Sequence, residues 1–258
     1  MKNIKQIKNK VMLSARKPED FSGLSLDEDT YSVVLKPASQ LTYQYMADLI
    51  YEIVVNKLKK DPSIVAILDW GAGKAQLSYF LKKRGFENIT LSEIKGYPHT
   101  KLWKHNKTKK ITLPKDEKLP ISSKSYDIVI SAGVLEHVPH DQASLSELQR
   151  ILKDDGLLFC FNLPTKLGYI HQLSKLLGNY YHDRLYSKKE VKYLLKRTGL
   201  KPLLIYRRQL LPKKKFNYKN PIKMDILDSI LSMIPFISLG AASLEFAAEN
   251  QNCHIQKG

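Results

Sequence analysis

Apolar residues recur at helical spacing in "LTYQYMADLIYEIVVNKLKK", where Leu49, Ile50, Ile53 and Val54 follow Tyr45 and Met46 by one turn. That spacing predicts an amphipathic helix ending before Pro62. Strands and helices then alternate: strand "VAILDW", helix "AQLSYFLKKRG", strand "NITLSEI", a poorly patterned basic stretch "KGYPHTKLWKHNKTKK", and a short strand "ITLP". A further strand, "YDIVISAGV", precedes the helical "DQASLSELQRILKDDG", which is expected to stop at Gly156. The next strand, "GLLFCFNLP", is apolar throughout, as strands covered on both faces tend to be. This rhythm predicts an α/β fold: a Rossmann-like, doubly wound, mostly parallel seven-stranded sheet with helices on both faces and right-handed crossovers.

The alternation breaks after Pro164. "TKLGYIHQLSKLLGNYYHDRLY" holds one short helix among many aromatic and histidine residues, and reads as a lid inserted over one end of the sheet at residues 165–186. The pattern resumes in "SKKEVKYLLKRTGL", with a capping box of Ser187 and Glu190, an apolar face of Val191, Leu194 and Leu195, and a stop at Gly199. "PLLIYRR" and "ASLEFAAEN" are the last two strands, expected as an antiparallel edge pair. Residues 1–38 lack sustained periodicity and read as a basic N-terminal arm, residues 39–250 as the main domain, and residues 251–258 as a tail.

Composition narrows the partners. The 258 residues carry a formal charge of +17 with 43% hydrophobic content, enough apolar surface for one sizeable domain. Such a charge favours anionic partners, although lysines solvating helix faces account for it equally well. Cys160 sits in an apolar strand and Cys253 near the end, a usage that fits a reducing, cytoplasmic setting and no disulfide scaffold or thiolate metal site. No signal-peptide pattern opens the chain. "ILDSILSMIPFISLGAA" is its most apolar stretch, but Asp228 and Pro235 interrupt it, and it falls short of the ~20 apolar residues needed to span a bilayer. It is expected as a buried helix followed by a strand, with an interfacial helix or peripheral membrane contact as the alternative.

The chemistry concentrates after the first strand. "ILDWGAGKA" ends on Asp69, turns through Gly71, Ala72 and Gly73, and enters a helix near Ala75. Two glycines remove side chains that would hold a ligand off the main chain, and the helix N-terminus presents unpaired N–H groups. A dinucleotide loop would place a third glycine where Gln76 stands, and rarely has an acid at the position of Asp69. Glu93 closes the next strand, where a carboxylate takes both hydroxyls of a ribose lacking a 2′-phosphate. Together these features favour an adenosyl group without a pyrophosphate.

Here the chain resembles the class I S-adenosylmethionine-dependent methyltransferases, in particular the small-molecule and quinone-biosynthesis-like branch with a type 11 domain. "ILDWGAGKA" is similar to the family's first motif, with Ala75 in place of a usual third glycine; "LPISSKSYDIVISAGVLEHV" and "ELQRILKDDGLLFCFNLP" are similar to its fourth and fifth strand regions. The resemblance covers about residues 40–250. It implies S-adenosyl-L-methionine as cofactor, S-adenosyl-L-homocysteine as product, and a cofactor site built from this chain's own positions. Gly71, Ala72 and Gly73 would pack against the methionine moiety and Asp69 would orient the loop and the ammonium. Glu93 would hold the ribose, and Asp116 or Glu117 would lie beside the adenine. Ala132 and Val134 would line the methionine end, with Ser131 nearby. As plain structure, Asp69 and Glu93 would be strand-end caps.

Methyl transfer from a sulfonium is an in-line displacement, so placement of the acceptor does most of the work. A base is needed only where the accepting atom carries a proton of high pKa. His137 in "VLEHVPH" lies past the fourth strand and is the candidate base, or else a wall residue; His140 is placed to pair with it. Pro139 argues against a metal-binding helix face, and no metal site is expected. His182, Asp183 and Arg184 of the insertion are acceptor-binding candidates, His182 also as a base, or else polar lid surface. Tyr169, Tyr180, Tyr181 and Tyr186 form an acceptor wall or the lid's own packing. The acceptor is expected to be a small molecule methylated on oxygen, nitrogen or carbon, with phosphorylated, saccharide and lipid-linked compounds as the candidate classes. Two other functions compete: an RNA methyltransferase using the basic stretches "KLWKHNKTKK" and "RRQLLPKKKFNYK", and a non-catalytic cofactor-binding relative. The Asn/Asp-Pro-Pro-aromatic motif of base-amine methylation is absent after the fourth strand, where the chain reads "SAGV".

Overall fold

The computed structural model describes residues 3–21, 36–96, 101–105, 108–114, 118–178, 182–212 and 219–251. Seven strands form one sheet: β1 (Ile67–Trp70), β2 (Ile89–Ile94), β3 (Lys109–Leu113), β4 (Tyr126–Ala132), β5 (Leu152–Pro164), β6 (Leu200–Arg208) and β7 (Ser243–Asn250). Their order is β3-β2-β1-β4-β5-β7-β6. The pairs from β3 to β5 are parallel, while β7 runs antiparallel between β5 and β6, so β6 forms the edge.

The central strands are apolar at every position because alternate residues enter different cores. Ile67, Ile128, Ile130, Leu157 and Phe159 join one buried cluster. Leu68, Val129, Leu158 and Cys160 join the other. The first face is covered by α1 (Ile4–Leu13), α2 (Pro37–Ile53) and α3 (Gln76–Lys82); the second by α5 (Asp141–Ile151) and α7 (Lys188–Arg197). A short α4 (Lys101–His105) lies between β2 and β3.

Three elements differ from the sequence reading. The N-terminal arm opens with α1, which has an Asn3/Gln6 capping box and buries Ile7, Val11 and Met12 against α2 and the sheet. Three lysines, Lys5, Lys8 and Lys10, interrupt its apolar spacing, which hid the helix from the pattern. The helix before β5 ends at Ile151 rather than running to Gly156; Leu152 already pairs with Tyr126, and Asp155 at φ 61° makes the turn. The most apolar stretch forms α8 (Pro221–Met233) and a 3₁₀ turn at Ile237–Gly240, yet its buried residues are polar: Asp225, Asp228, Ser229, Ser232 and Ser238. Asp225 faces the buried Arg16 at 3.7 Å, and Asp228 accepts from the Leu211 N–H at 2.7 Å. These inward partners rotate the apolar face of α8 outward.

The segment after β5 leaves the sheet and returns to it. Thr165 and Tyr186 form an isolated bridge that closes its two ends, and α6 (Tyr169–Leu176) lies between them with no buried residue. No described helix is long and apolar enough to cross a membrane.

Candidate active site

The sheet order changes direction between β1 and β4, and the carboxyl ends of those strands open a crevice where ligands of open α/β sheets bind. The loop after β1 has the backbone its sequence implies. Gly71, Gly73 and Ala75 have φ of 69°, 52° and 63°. A Cβ at Gly71 would sit 2.5 Å from Val134 Cγ2, so only glycine fits beside the wall the β4 loop provides. The left-handed Ala75 caps α3, a backbone conformation that ordinarily favours glycine.

Two acids hold the loop. Asp69 is buried and accepts a 2.6 Å hydrogen bond from Ser78 Oγ, one helical turn into α3. Burial, opposed by Ser78 and assisted by the nearby Glu93, pushes its pKa up to about 6. Glu93 accepts from the Gly73 and Ile94 N–H groups, each at 2.9 Å. Trp103 of α4 donates its indole N–H to the Gly73 carbonyl at 2.7 Å. That buried Trp103 is the aromatic of the basic stretch "KLWKHNKTKK", so it is not exposed for stacking on a nucleic-acid base.

Around this loop lies a cleft of about 500 Å³. Of the sequence-predicted cofactor residues, Asp69, Gly71, Ala72, Gly73, Glu93, Ala132 and Val134 line it, as does His137. Ser131 is buried inside β4, opposite Cys160 in register, and is not part of the lining. A narrower apolar cavity of about 170 Å³ continues past Glu93 and Ile94 toward Trp70, Leu113 and Leu119. Pro114 also lines it; Asp116 and Glu117 lie outside the described residues, as do Tyr180 and Tyr181.

At the mouth of the cleft the insertion meets the β4 loop. His137 Nδ1 is 2.9 Å from Asp183 Oδ2, and its ring stacks on His182 with centroids 6.1 Å apart. The His137–Asp183 bond replaces the expected pairing of His137 with His140, which is exposed at the start of α5. Beneath the two rings Glu136 is buried, with one carboxylate oxygen 3.8 Å from His137 Nε2 and 4.0 Å from His182 Nδ1. Burial raises the Glu136 pKa; burial, then the neighbouring His171 and His137, lower that of His182. One oxygen and two imidazole nitrogens of Glu136, His137 and His182 lie within 4.8 Å of one another, a set able to receive either a proton or a cation. The His171 ring stands edge-on to His182 at 5.0 Å and is held by the Ala242 carbonyl at 2.7 Å.

Arg184 lies apart from the cleft. Its guanidinium reaches the Pro139 carbonyl at 3.1 Å and Asp141 at 3.2 Å, tying the insertion to the start of α5 rather than offering a free cation to an acceptor. Tyr186 is likewise buried, its hydroxyl 3.0 Å from Asp141, and Tyr169 is exposed; neither forms an acceptor wall. Glu136, His171, Trp103 and Tyr43, which also lines the cleft, carry no local sequence signal.

Residues 68–160 match the family of methyltransferase domains. Over that stretch the chain is similar to a methyltransferase domain. The match spans β1 to the middle of β5, the half of the sheet that builds the cleft. No curated protein matches the sequence. The fold is similar to that of an S-adenosylmethionine-dependent methyltransferase from Thermotoga maritima (TM-score 0.57, 14% identity, covering 87% of this chain and 93% of the other). It is also similar to one from Archaeoglobus fulgidus (0.53, 14%, 79% and 94%). A third likeness is to the Burkholderia thailandensis 1,6-didemethyltoxoflavin-N1-methyltransferase, solved with its acceptor and S-adenosylhomocysteine (0.52, 15%, 81% and 79%). At these identities the likeness is one of fold.

Proposed function

We propose that this methyltransferase acts on a small acceptor with an ionisable oxygen or nitrogen, and that His137 removes the acceptor's proton. The observation that carries this reading is the placement of the His137–Asp183 pair on the rim of the same cleft that holds Asp69, Gly71, Gly73 and Glu93.

Gly71 and Gly73 would hold the methionine end of the cofactor with nearly bare main chain, Asp69 would face its ammonium, and Glu93 would hold the ribose. A carboxylate offers about four lone-pair positions, and two are taken by the Gly73 and Ile94 N–H groups, which leaves two for a vicinal diol. The apolar cavity between Ile94, Leu113 and Leu119 suits the adenine. The cofactor supplies an electrophilic methyl on a sulfonium.

The chain's residues do the remaining work. Asp183 orients the His137 ring through Nδ1 and leaves Nε2 to accept a proton. As the acceptor takes up the methyl, the carbon–sulfur pair would stay on sulfur and His137 Nε2 would take the acceptor's proton. The buried Glu136 beside both histidines favours the resulting imidazolium. The test is transfer of labelled methyl from the cofactor into cell-extract pools separated as RNA, lipid, saccharide and small molecules. Label is expected in a pool other than RNA. His137→Ala is expected to lower that rate ~100-fold, within the usual range for a positioned base, with S-adenosylhomocysteine affinity unchanged. Label confined to RNA, or an undiminished rate in the variant, overturns the reading.

A further inference from the structure

The outward turn of α8 leaves an apolar ridge on the surface. Leu227 and Ile230 of the helix, with Ile234, Phe236, Ile237 and Leu239 beyond it, are all exposed. Phe236, on the tip after Pro235, is 86% exposed. The ridge continues onto the insertion: the Tyr169 ring lies beside Gly240, where a Cβ would be 3.6 Å from it. From there Leu173, Leu176 and Leu177 extend along and just past α6, and Leu176 is 84% exposed. Isolated exposed apolar residues are ordinary, whereas a continuous ridge of this extent marks a contact surface.

Its charges have one sign. Residues 166–178 contain no acid, and the two acids of residues 219–241, Asp225 and Asp228, are buried. The exposed charges there are Lys175, Lys219 and Lys223, with Lys166 paired to Glu190 of α7. Beside the ridge, a groove of about 540 Å³ runs along the edge strand β6 between α1 and α7. Met233, the last residue of α8, lines this groove together with Lys5, Lys8, Lys188 and Lys192. Burial, and then the neighbouring Lys192, Arg207 and Lys5, hold the Lys188 ammonium below its usual range, so the groove concentrates positive charge.

We propose that this face docks on the surface of an anionic lipid bilayer, with the α8 ridge and α6 entering the interface and the lysine groove receiving acidic headgroups. Charge selects this occupant over a second copy of the chain, because a symmetric dimer would oppose the same lysines across the contact. Shape agrees: Phe236 and Leu176 project outward, as interfacial anchors do. The docked face borders the insertion that carries His171 and His182, so the cleft mouth would sit close to the bilayer surface. The docking does not depend on the acceptor or on catalysis.

The test is co-sedimentation of the full chain with phosphatidylcholine vesicles, alone or enriched in phosphatidylglycerol. Binding is expected only to the anionic vesicles, and added salt should weaken it. Lys5→Glu with Lys192→Glu, and separately Phe236→Ser with Leu239→Ser, should each reduce binding at least fivefold, since each lysine near an acidic surface is worth about fivefold. All four sites are on the surface or at the groove, so melting temperature and S-adenosylhomocysteine affinity should stay unchanged and report on folding. The proposal fails if anionic vesicles at low salt retain no protein, or if both folded double variants bind as the parent does. It also fails if light scattering shows a dimer that Phe236→Ser with Leu239→Ser dissolves.

Discussion

Asp69 illustrates what one residue costs a fold and returns to a site. The carboxyl is buried, keeps one short bond to Ser78, and has its pKa raised to about 6. Between the ordinary carboxylate range and that value, the folded chain holds a proton the unfolded chain has released, so stability falls as pH rises through this window. A shift of about two units corresponds to ~3 kcal/mol at most. Asp69→Asn, which keeps an acceptor for Ser78, is therefore expected to melt higher than the parent at pH 7, by up to ~3 kcal/mol, and with little difference at pH 4. Equal stabilities at both pH values would contradict the burial account. The same variant should bind S-adenosylmethionine more weakly, because it no longer offers an anion to the ammonium. Gly71, Gly73 and Glu93 were legible in the sequence because strand, turn and helix follow each other within 30 residues, so local spacing fixes where they meet. Glu136, His171 and Trp103 were not, since what marks them is contact with segments distant in the chain: His182 for the first two and the Gly73 carbonyl for the third.

At the scale of elements, the start of α7 couples stability to the lid. Ser187 accepts from the Glu190 N–H and Glu190 from the Ser187 N–H, a box read from four residues of sequence and present in the fold. Ser187→Ala should cost about 1 kcal/mol, seen as a lower urea midpoint with the slope unchanged. An unchanged midpoint would mean the cap bond contributes nothing. Periodicity misled at α1 and α8 for opposite reasons. In α1 lysines at alternate turns hide three buried apolar positions. In α8 the apolar residues are obvious but face outward, because Arg16 and the Leu211 N–H hold its two acids inside. No rule of spacing contains that information; it depends on which polar groups are waiting underneath. The break in alternation after Pro164 was legible, and the tie of Arg184 to Pro139 and Asp141 became visible only once both ends of that segment were placed.

For the molecule as a whole, the sheet order sets the division of labour. The parallel half, β3 to β5, opens the cofactor cleft at its carboxyl ends, and the antiparallel pair β7 and β6 carries α8 and the basic groove on the other flank. The mostly parallel seven-stranded architecture was legible because both-face burial makes each central strand a short apolar run. The insertion of β7 between β5 and β6 was not, since adjacency in an antiparallel trio leaves no mark on composition. The +17 charge, read from sequence only as a preference for anions, takes on a location at the lysine groove and the α8 face. The central claim is that a sulfonium nucleoside lies across β1, β2 and β4 with its ribose on Glu93. A crystal structure of the chain with S-adenosylhomocysteine tests it most directly. The expected result has both ribose hydroxyls within hydrogen-bond distance of the Glu93 carboxylate and the amino acid end against Gly71 and Gly73; a nucleoside bound away from that loop would contradict it.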